Sequence, residues 1–579
     1  MFAQNYQKIH AVDSPVYRAI TALYIAHGMA LPSTTGPWSE DELLLMLNRL
    51  DPEKLKADEH ATYNFVSETL LKQSSSLDFS LHLNLEAYGH TNTEDFTLLS
   101  DYIREPNRIN NLIDFDTEMR ITDHLYGLFT FSLGNAIINK TEKKYPGGSD
   151  LVASNFFGKT AFSTNVPVVP PAELSDLNFN FPSRSFAVFG GKGWSVQAGR
   201  DKLSWGPGES GNFTVGDHIH YHNTVHASLY NKSVKYTFNV SGFPNPNEYY
   251  TKDFTEGWSN DHAVLINGIP GWPKLDGINL FIAHRLEWRT LYDKLNLVLT
   301  EAVMYQDDTG LVDLQYLLPF TFLHNQYRQE NSNSLLSLEV DFAVMPFLNL
   351  YGQLALDEYA LPGESVPGID DTALGDGLGY MLGVKTALPI AGGMLTGSLE
   401  GALTTPYLYL RSASASANDK RRPLNYVVAT RYISTNGNDL YYDESFLGYR
   451  WGNDAIVVNL NGGYEQYGKW AVKANYMLMF HGTLDQWTIW DHIHANRAPY
   501  NQTTPSTSHA EDSYTDPTAA SRNATRIMNA FSLTGSWNIW RALAVYGQAD
   551  IVNIVHPGNI KTNKAITDIQ LTLGISYTF

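Results

Sequence analysis

The sequence contains no cysteine, which excludes disulfides, thiolate metal sites and cysteine nucleophiles. It has no run of 18 or more apolar residues, so helical membrane spans are excluded. Positive charge is scarce. Lys and Arg number 40 against 60 Asp and Glu, a formal charge of −20, and nucleic acid is bound by clustered basic residues that are missing here. Met1 to Ala11 hold no apolar signal-peptide core; in an exported protein the numbering would then start near the mature end.

Aromatic residues are plentiful: 34 Tyr, 27 Phe and 12 Trp suit membrane-interface girdles or sugar-stacking surfaces. At 579 residues the chain can make several soluble domains or one very large barrel. The carboxy terminus favours the barrel. Ile569, Leu571, Leu573, Ile575, Tyr577 and Phe579 alternate with Gln570, Thr572, Gly574, Ser576 and Thr578, the period of a strand with one apolar and one polar or small face. The odd-numbered face is expected in lipid, with Tyr577 and Phe579 at the membrane boundary.

Residues 14 to 73 read as three helices. Ser14 caps the first, which Gly28 ends; Ser39 opens a capping box with Glu42; Asp51-Pro52 starts the third. From Ser75 onward the periodicity is that of strands, as in Leu77 to Ala87, Ile278 to Trp288, Leu336 to Val344, and Phe531 to Trp537 pairing with Leu543 to Ile551. These strands are longer than the ~5–6 residues of globular proteins and fit the ~9–11 needed to cross a bilayer. Tight turns (Tyr292-Asp293-Lys294, Met345-Pro346, Asn538 to Arg541) alternate with long loops (Gly242 to Asp276, Gln306 to Asn333, Gly482 to Arg522). The expected fold is therefore an all-β transmembrane barrel. About 19 candidate strands, and the even strand number of such barrels, give about 18. Residues 1–73 form a helical head or plug and residues 74–579 the barrel. A β-propeller is the main competitor, but no blade repeat is visible.

Chemistry-bearing clusters are few. Gly199 to Asn212 is dense in turn formers, with Trp205, Gly206, Pro207 and Gly208 at its centre, either a turn folded into the barrel or a functional loop with a flat aromatic face. Gly208-Glu209-Ser210-Gly211-Asn212 has Asn where a nucleophile elbow needs Gly. His218, His220 and His222 share one face if that stretch is a strand, and His226 follows; Asp491 to His494 adds Asp-His-Ile-His. Neither has catalytic metal-ligand spacing, and lumen-lining histidines are the blander reading. Acid pairs at Asp307-Asp308, Asp370-Asp371 and Glu511-Asp512 could bind divalent cations that bridge polysaccharide, although such acids more often keep loops solvated. No catalytic residue, cofactor or metal site is assigned.

The head motifs Ser14-Pro15-Val16-Tyr17-Arg18, Leu31-Pro32 and Pro37 to Leu43, followed by Gly199-Arg200 and Trp205-Gly206-Pro207-Gly208, resemble the Wzi-type capsule assembly proteins of Gram-negative outer membranes. The resemblance implies an 18-stranded barrel, closed on the periplasmic side by a helical bundle, that binds capsular polysaccharide. The terminal Tyr577 and Phe579 resemble the membrane-insertion signal read by the barrel assembly machinery. This chain is longer than typical members, so no glycan contacts are carried over beyond the Trp205 loop. The expectation is a non-catalytic protein of the cell outer membrane that anchors or assembles capsular or exopolysaccharide. The alternative is a porin-like channel for sugars or other small solutes.

Overall fold

A computed structural model describes residues 6–72, 75–96, 99–104, 110–134, 161–165, 178–180, 184–243, 278–307, 312–320, 332–358, 376–411, 424–433, 440–486, 488, 503–507 and 521–579. Eighteen antiparallel strands form one closed circuit. β1 (Leu77–His90), β2 (Ile113–Thr122), β3 (Leu125–Gly134), β4 (Ser185–Gly191), β5 (Trp194–Asp201) and β6 (His222–Tyr230) come first. Next are β7 (Val234–Phe243), β8 (Ile278–Thr290), β9 (Leu295–Asp307), β10 (Ser332–Met345), β11 (Leu348–Glu358) and β12 (Gly377–Ile390). β13 (Gly393–Thr404), β14 (Ala455–Gln466), β15 (Trp470–His481), β16 (Arg526–Asn538), β17 (Leu543–Val555) and β18 (Ile566–Thr578) complete the wall.

β18 closes on β1 from Gln570↔His90 to Thr578↔His82, leaving no open edge in lipid. The alternation of the last strand has its expected meaning. Ile569, Leu571, Leu573 and Ile575 are 44–65% exposed on the outside, whereas Asp568, Gln570 and Thr572 are buried within. Trp288, Trp470, Trp537, Trp540, Tyr577 and Phe579 are exposed near the short-turn end, an aromatic girdle at the interface that faces the periplasm in this class of barrel.

The head has three α-helices, α1 (Pro15–Ala26), α2 (Glu40–Leu47) and α3 (Ala57–Leu70). Ser14 Oγ accepts from the Val16 amide at 3.2 Å and Ser39 Oγ from the Glu42 amide at 3.3 Å, so both caps form, while the Glu42 carboxylate accepts from Lys235. The third helix starts later than Asp51-Pro52 suggests. Asp51 caps only a 3-10 turn, Pro52–Lys54, and the chain is extended at Leu55 and Lys56 before α3 begins. Gly28 has φ +69°, and a Cβ there would lie 2.9 Å from Pro346 N. Glycine therefore both ends α1 and seats it on the turn between β10 and β11. Ile20, Leu23, Leu43, Val66 and Leu70 form one cluster with Ala387, Met394 and Tyr467 of the barrel.

One connection departs from the polar-loop expectation. Within Gln306 to Asn333, a 3-10 turn at Leu314–Leu317 lies on the outer wall, with Tyr316 buried beside Tyr305, Ile282 and Val303. Phe320 stacks on outward-facing Tyr236 at 4.1 Å.

Candidate functional site

The polar faces of β7 to β11 converge on residues 30–39, the link between α1 and α2. Arg285 is fully buried. Its guanidinium donates to Glu339 Oε1 and Oε2 at 2.7 and 2.8 Å, to Thr300 Oγ1 at 2.9 Å, and to Thr34 and Thr35 hydroxyls. Lys235 Nζ donates to Glu42 Oε1 at 2.7 Å and to the Thr35 carbonyl at 2.9 Å. The Leu31 amide donates to Asp341 Oδ1 at 2.6 Å, and Ser33 and Thr35 hydroxyls donate to Glu287. A buried charge is tolerated only when paired and hydrogen-bonded, and here the inserted link supplies the missing partners. Glu42 lies outside the wall, in α2; burial pushes its carboxyl up to about 7 despite the neighbouring Lys235 ammonium.

Thr35–Gly36 also pairs with Ser204–Trp205, which brings in the second inward segment. The Trp205-Gly206-Pro207-Gly208 stretch folds into the lumen. Trp205 is 0% exposed, with Phe281 and His226 rings about it and the Arg285 guanidinium 5.9 Å from its centroid. Gly206 has φ +130°, and a Cβ there would stand 2.0 Å from Gln353 Nε2; one at Gly208 would stand 1.9 Å from the Gly211 carbonyl oxygen. Both glycines are required by close approach. Beyond them the Glu209 and Ser210 amides donate to the Glu400 carboxylate at 2.7 and 2.9 Å, which also accepts from Tyr351 OH at 2.7 Å. The loop thus crosses from β5 to the opposite wall at β13.

An apolar cluster packs beside this brace inside the barrel. Trp205, Phe213, Phe281, Met304, Tyr409, Tyr449, Met479 and Met528 belong to one buried cluster drawn from the inward segments, β1 and the wall from β7 to β17. Between brace and head lies a cavity of about 540 Å³, lined among others by Tyr17, Arg18, Pro207, Lys385, Lys473 and Thr534. Its polar lining can solvate a small hydrophilic molecule or water.

The histidines fall differently from the one-face expectation. β6 begins at His222, so His218 and His220 precede it within the inward loop. His222 and His226 both point into the lumen, buried, and no group of three metal-ligating side chains occurs among the described residues. Asp307 ends β9; Asp308, Asp370-Asp371, Glu511-Asp512 and Asp491 to His494 lie outside the described residues. Tyr577 and Phe579 pack edge to face at 4.6 Å, and the Phe579 amide donates to the Leu81 carbonyl at 2.9 Å. The clamp on residues 30–39 is the part that local sequence patterns do not reveal, although Arg285, Glu287, Glu339 and Asp341 stand out as polar positions on apolar strands.

No protein-family model and no curated protein matches this sequence. Among solved structures, Wzi, an outer-membrane protein involved in group 1 capsule assembly in Escherichia coli and described as a carbohydrate-binding β-barrel, superposes with a TM-score of 0.56. The match covers 99% of both chains at 12% identity. The chain has the Wzi fold. The outer-membrane channel DcaP of Acinetobacter baumannii aligns at a TM-score of 0.32 and 8% identity over 87% of this chain and 97% of that one. An anion-selective porin from Comamonas acidovorans aligns at 0.31 and 11%, over 87% of this chain and 100% of that one. A closed 18-stranded barrel with an apolar exterior is an integral outer-membrane protein, and the contact of Gly28 with the β10–β11 turn places its helical head at the short-turn end.

Proposed function

We propose that this protein binds capsular or exopolysaccharide at the cell surface and helps to anchor or assemble it, without catalysis. The observation that carries the reading is the packing of the head and the Trp205 segment inside the barrel. A helical head clamped by buried ion pairs and a brace beside an apolar cluster fill space that a channel keeps open. The shared fold with a barrel described as carbohydrate binding supports the same reading. The Trp205 to Gly208 loop then has a structural part, fixing the floor beneath the mouth at which the long loops meet glycan. Aromatic faces stacking on sugar rings and acids and amides bonding hydroxyls supply the recognition chemistry.

The test is a strain deleted for this protein, scored for cell-bound against shed polysaccharide. The shed fraction is expected to rise, with total polysaccharide unchanged. An unaltered ratio, together with no capture of purified polysaccharide by the isolated protein, overturns the reading.

A further inference from the structure

The outer wall of β15 to β18 and β1 carries a groove of about 980 Å³, at the top of the ~300–1,000 Å³ range of small-molecule pockets. Its shape follows from two adjacent hydrogen-bonded rows. One row runs Trp470, Trp537, Val545, Ile575 and Leu85, each opposite the next. The neighbouring row runs Val472, Gly535, Gly547, Leu573 and Ala87. Gly535, Gly547 and Ala87 contribute almost no side chain, so that row is a trough in an otherwise bulky wall, crossed by Leu573, whose Cδ2 would lie 3.1 Å from a Cβ on Gly547. A Cβ built on Gly535 meets nothing nearer than the Ala471 carbonyl oxygen, at 3.9 Å, so the space is open.

The trough also has a direction. It starts beside the first residue of β15, at the short-turn rim, and ends at Ala87, well along β1. Four strand spacings of about 4.8 Å make it about 19 Å long, and strand tilt inclines it from the interface toward the membrane interior. At its rim the turns after β14 and β16 are tied by the Asn538 amide donating to the Lys469 carbonyl at 2.7 Å. They present Lys469 and Arg541, both exposed, and Trp540, which is 66% exposed. Neither cation forms an ion pair with a described residue.

We propose that this groove is a specific site for one acyl chain of an anionic phospholipid from the periplasm-facing leaflet, with its phosphate held by Lys469 and Arg541. This face is turned to the bilayer, and the two cations at the rim select negative headgroups. The interfacial indoles position the glycerol region.

Native mass spectrometry of the full chain, released from detergent with equal amounts of phosphatidylglycerol and phosphatidylcholine, tests this. One phosphatidylglycerol is expected to be retained at least about tenfold more than phosphatidylcholine. Gly535→Leu fills the trough and is expected to lower that retention at least about tenfold, with folding checked by heat-modifiable gel mobility. Lys469→Glu with Arg541→Glu, at exposed turn positions, is expected to abolish the headgroup preference. Equal retention of both lipids by the unaltered protein, or retention that neither variant changes, overturns the proposal. So does a dimer that Gly535→Leu dissociates, since the groove then belongs to a second copy.

Discussion

At the short-turn end the two sides of the lumen are built from the same residue types and differ in what surrounds them. On the β7–β11 side, Arg285 and Glu339 side chains are 0% and 3% exposed, and Lys235 and Glu42 are each 5% exposed. On the β15–β2 side, Lys473 is 43% exposed, and the His82–Asp116 pair is 30% exposed at both partners. The difference is residues 30–39, which fill only the first side. There every charge finds a protein partner, because uncompensated burial is costly; on the second side Asn475, Thr534, Gln548 and Ser576 also bond protein groups yet stay partly exposed. Charge on a barrel strand thus means a clamp where the plug lies and a wet wall where it does not.

The most drastic way to erase the difference is to delete residues 1–72. The intact chain is expected to pass no steady current in planar bilayers, and the deletion to open large conductance steps. A large conductance in the intact chain would mean that the wet side runs through the barrel. Removing a single partner on the clamped side comes next. Arg285→Ala leaves Glu339 buried without its cation and is expected to cost about 3–5 kcal/mol, read from urea-dependent loss of the folded band on gels. Arg285→Met combined with Glu339→Leu should cost much less than the single change, because no lone charge remains.

That contrast also explains what the sequence reveals and what it hides. The lipid-facing alternation of β18 and the caps at Ser14 and Ser39 are local patterns, and they hold in the fold. Asp51-Pro52 misleads because its capping oxygen serves a 3-10 turn before an extended break. His218 and His220 mimic strand spacing but belong to a loop drawn inward by Trp205 and Phe213, a tertiary effect without a local signature. The clamp is the hardest to read: the Leu31 amide and Asp341 lie 310 residues apart. Polar residues on strands announce a lumen without saying which side is filled. The metal and glycan assignments have even less to rest on, because acids and aromatics in long loops carry no spacing rule.

A subtler probe of the clamped side is pH. Burial raises the Glu42 carboxyl from its ordinary 4.5 to about 7, so the folded state holds this proton more tightly than the unfolded chain does. The stabilisation is fully present below pH 4.5 and is lost as pH rises through about 7. Amide exchange in α2, corrected for intrinsic rates, is expected to be slower at the acid end of that window than at its upper end. Glu42→Gln should flatten the dependence. An unchanged profile in the variant would assign the titration to another group.

The smallest expected effect lies on the wet side. Lys473 bridges to Glu465 at 3.2 Å, and Glu465 also accepts from Arg18 at 3.0 Å. Geometrically the cluster resembles the Arg285 clamp, and Glu465 is only 12% exposed, but Lys473 and Arg18 are 43% and 39% exposed, and pairs with a solvent-exposed partner are worth about 0–1 kcal/mol. Lys473→Ala is therefore expected to lower stability by less than about 1 kcal/mol, and salt should reduce even that. The same urea titration used for Arg285→Ala decides the matter. A loss as large as that of the clamp variant would mean that Lys473 sits in a packed, dry environment, and the two sides of the lumen would no longer differ in kind.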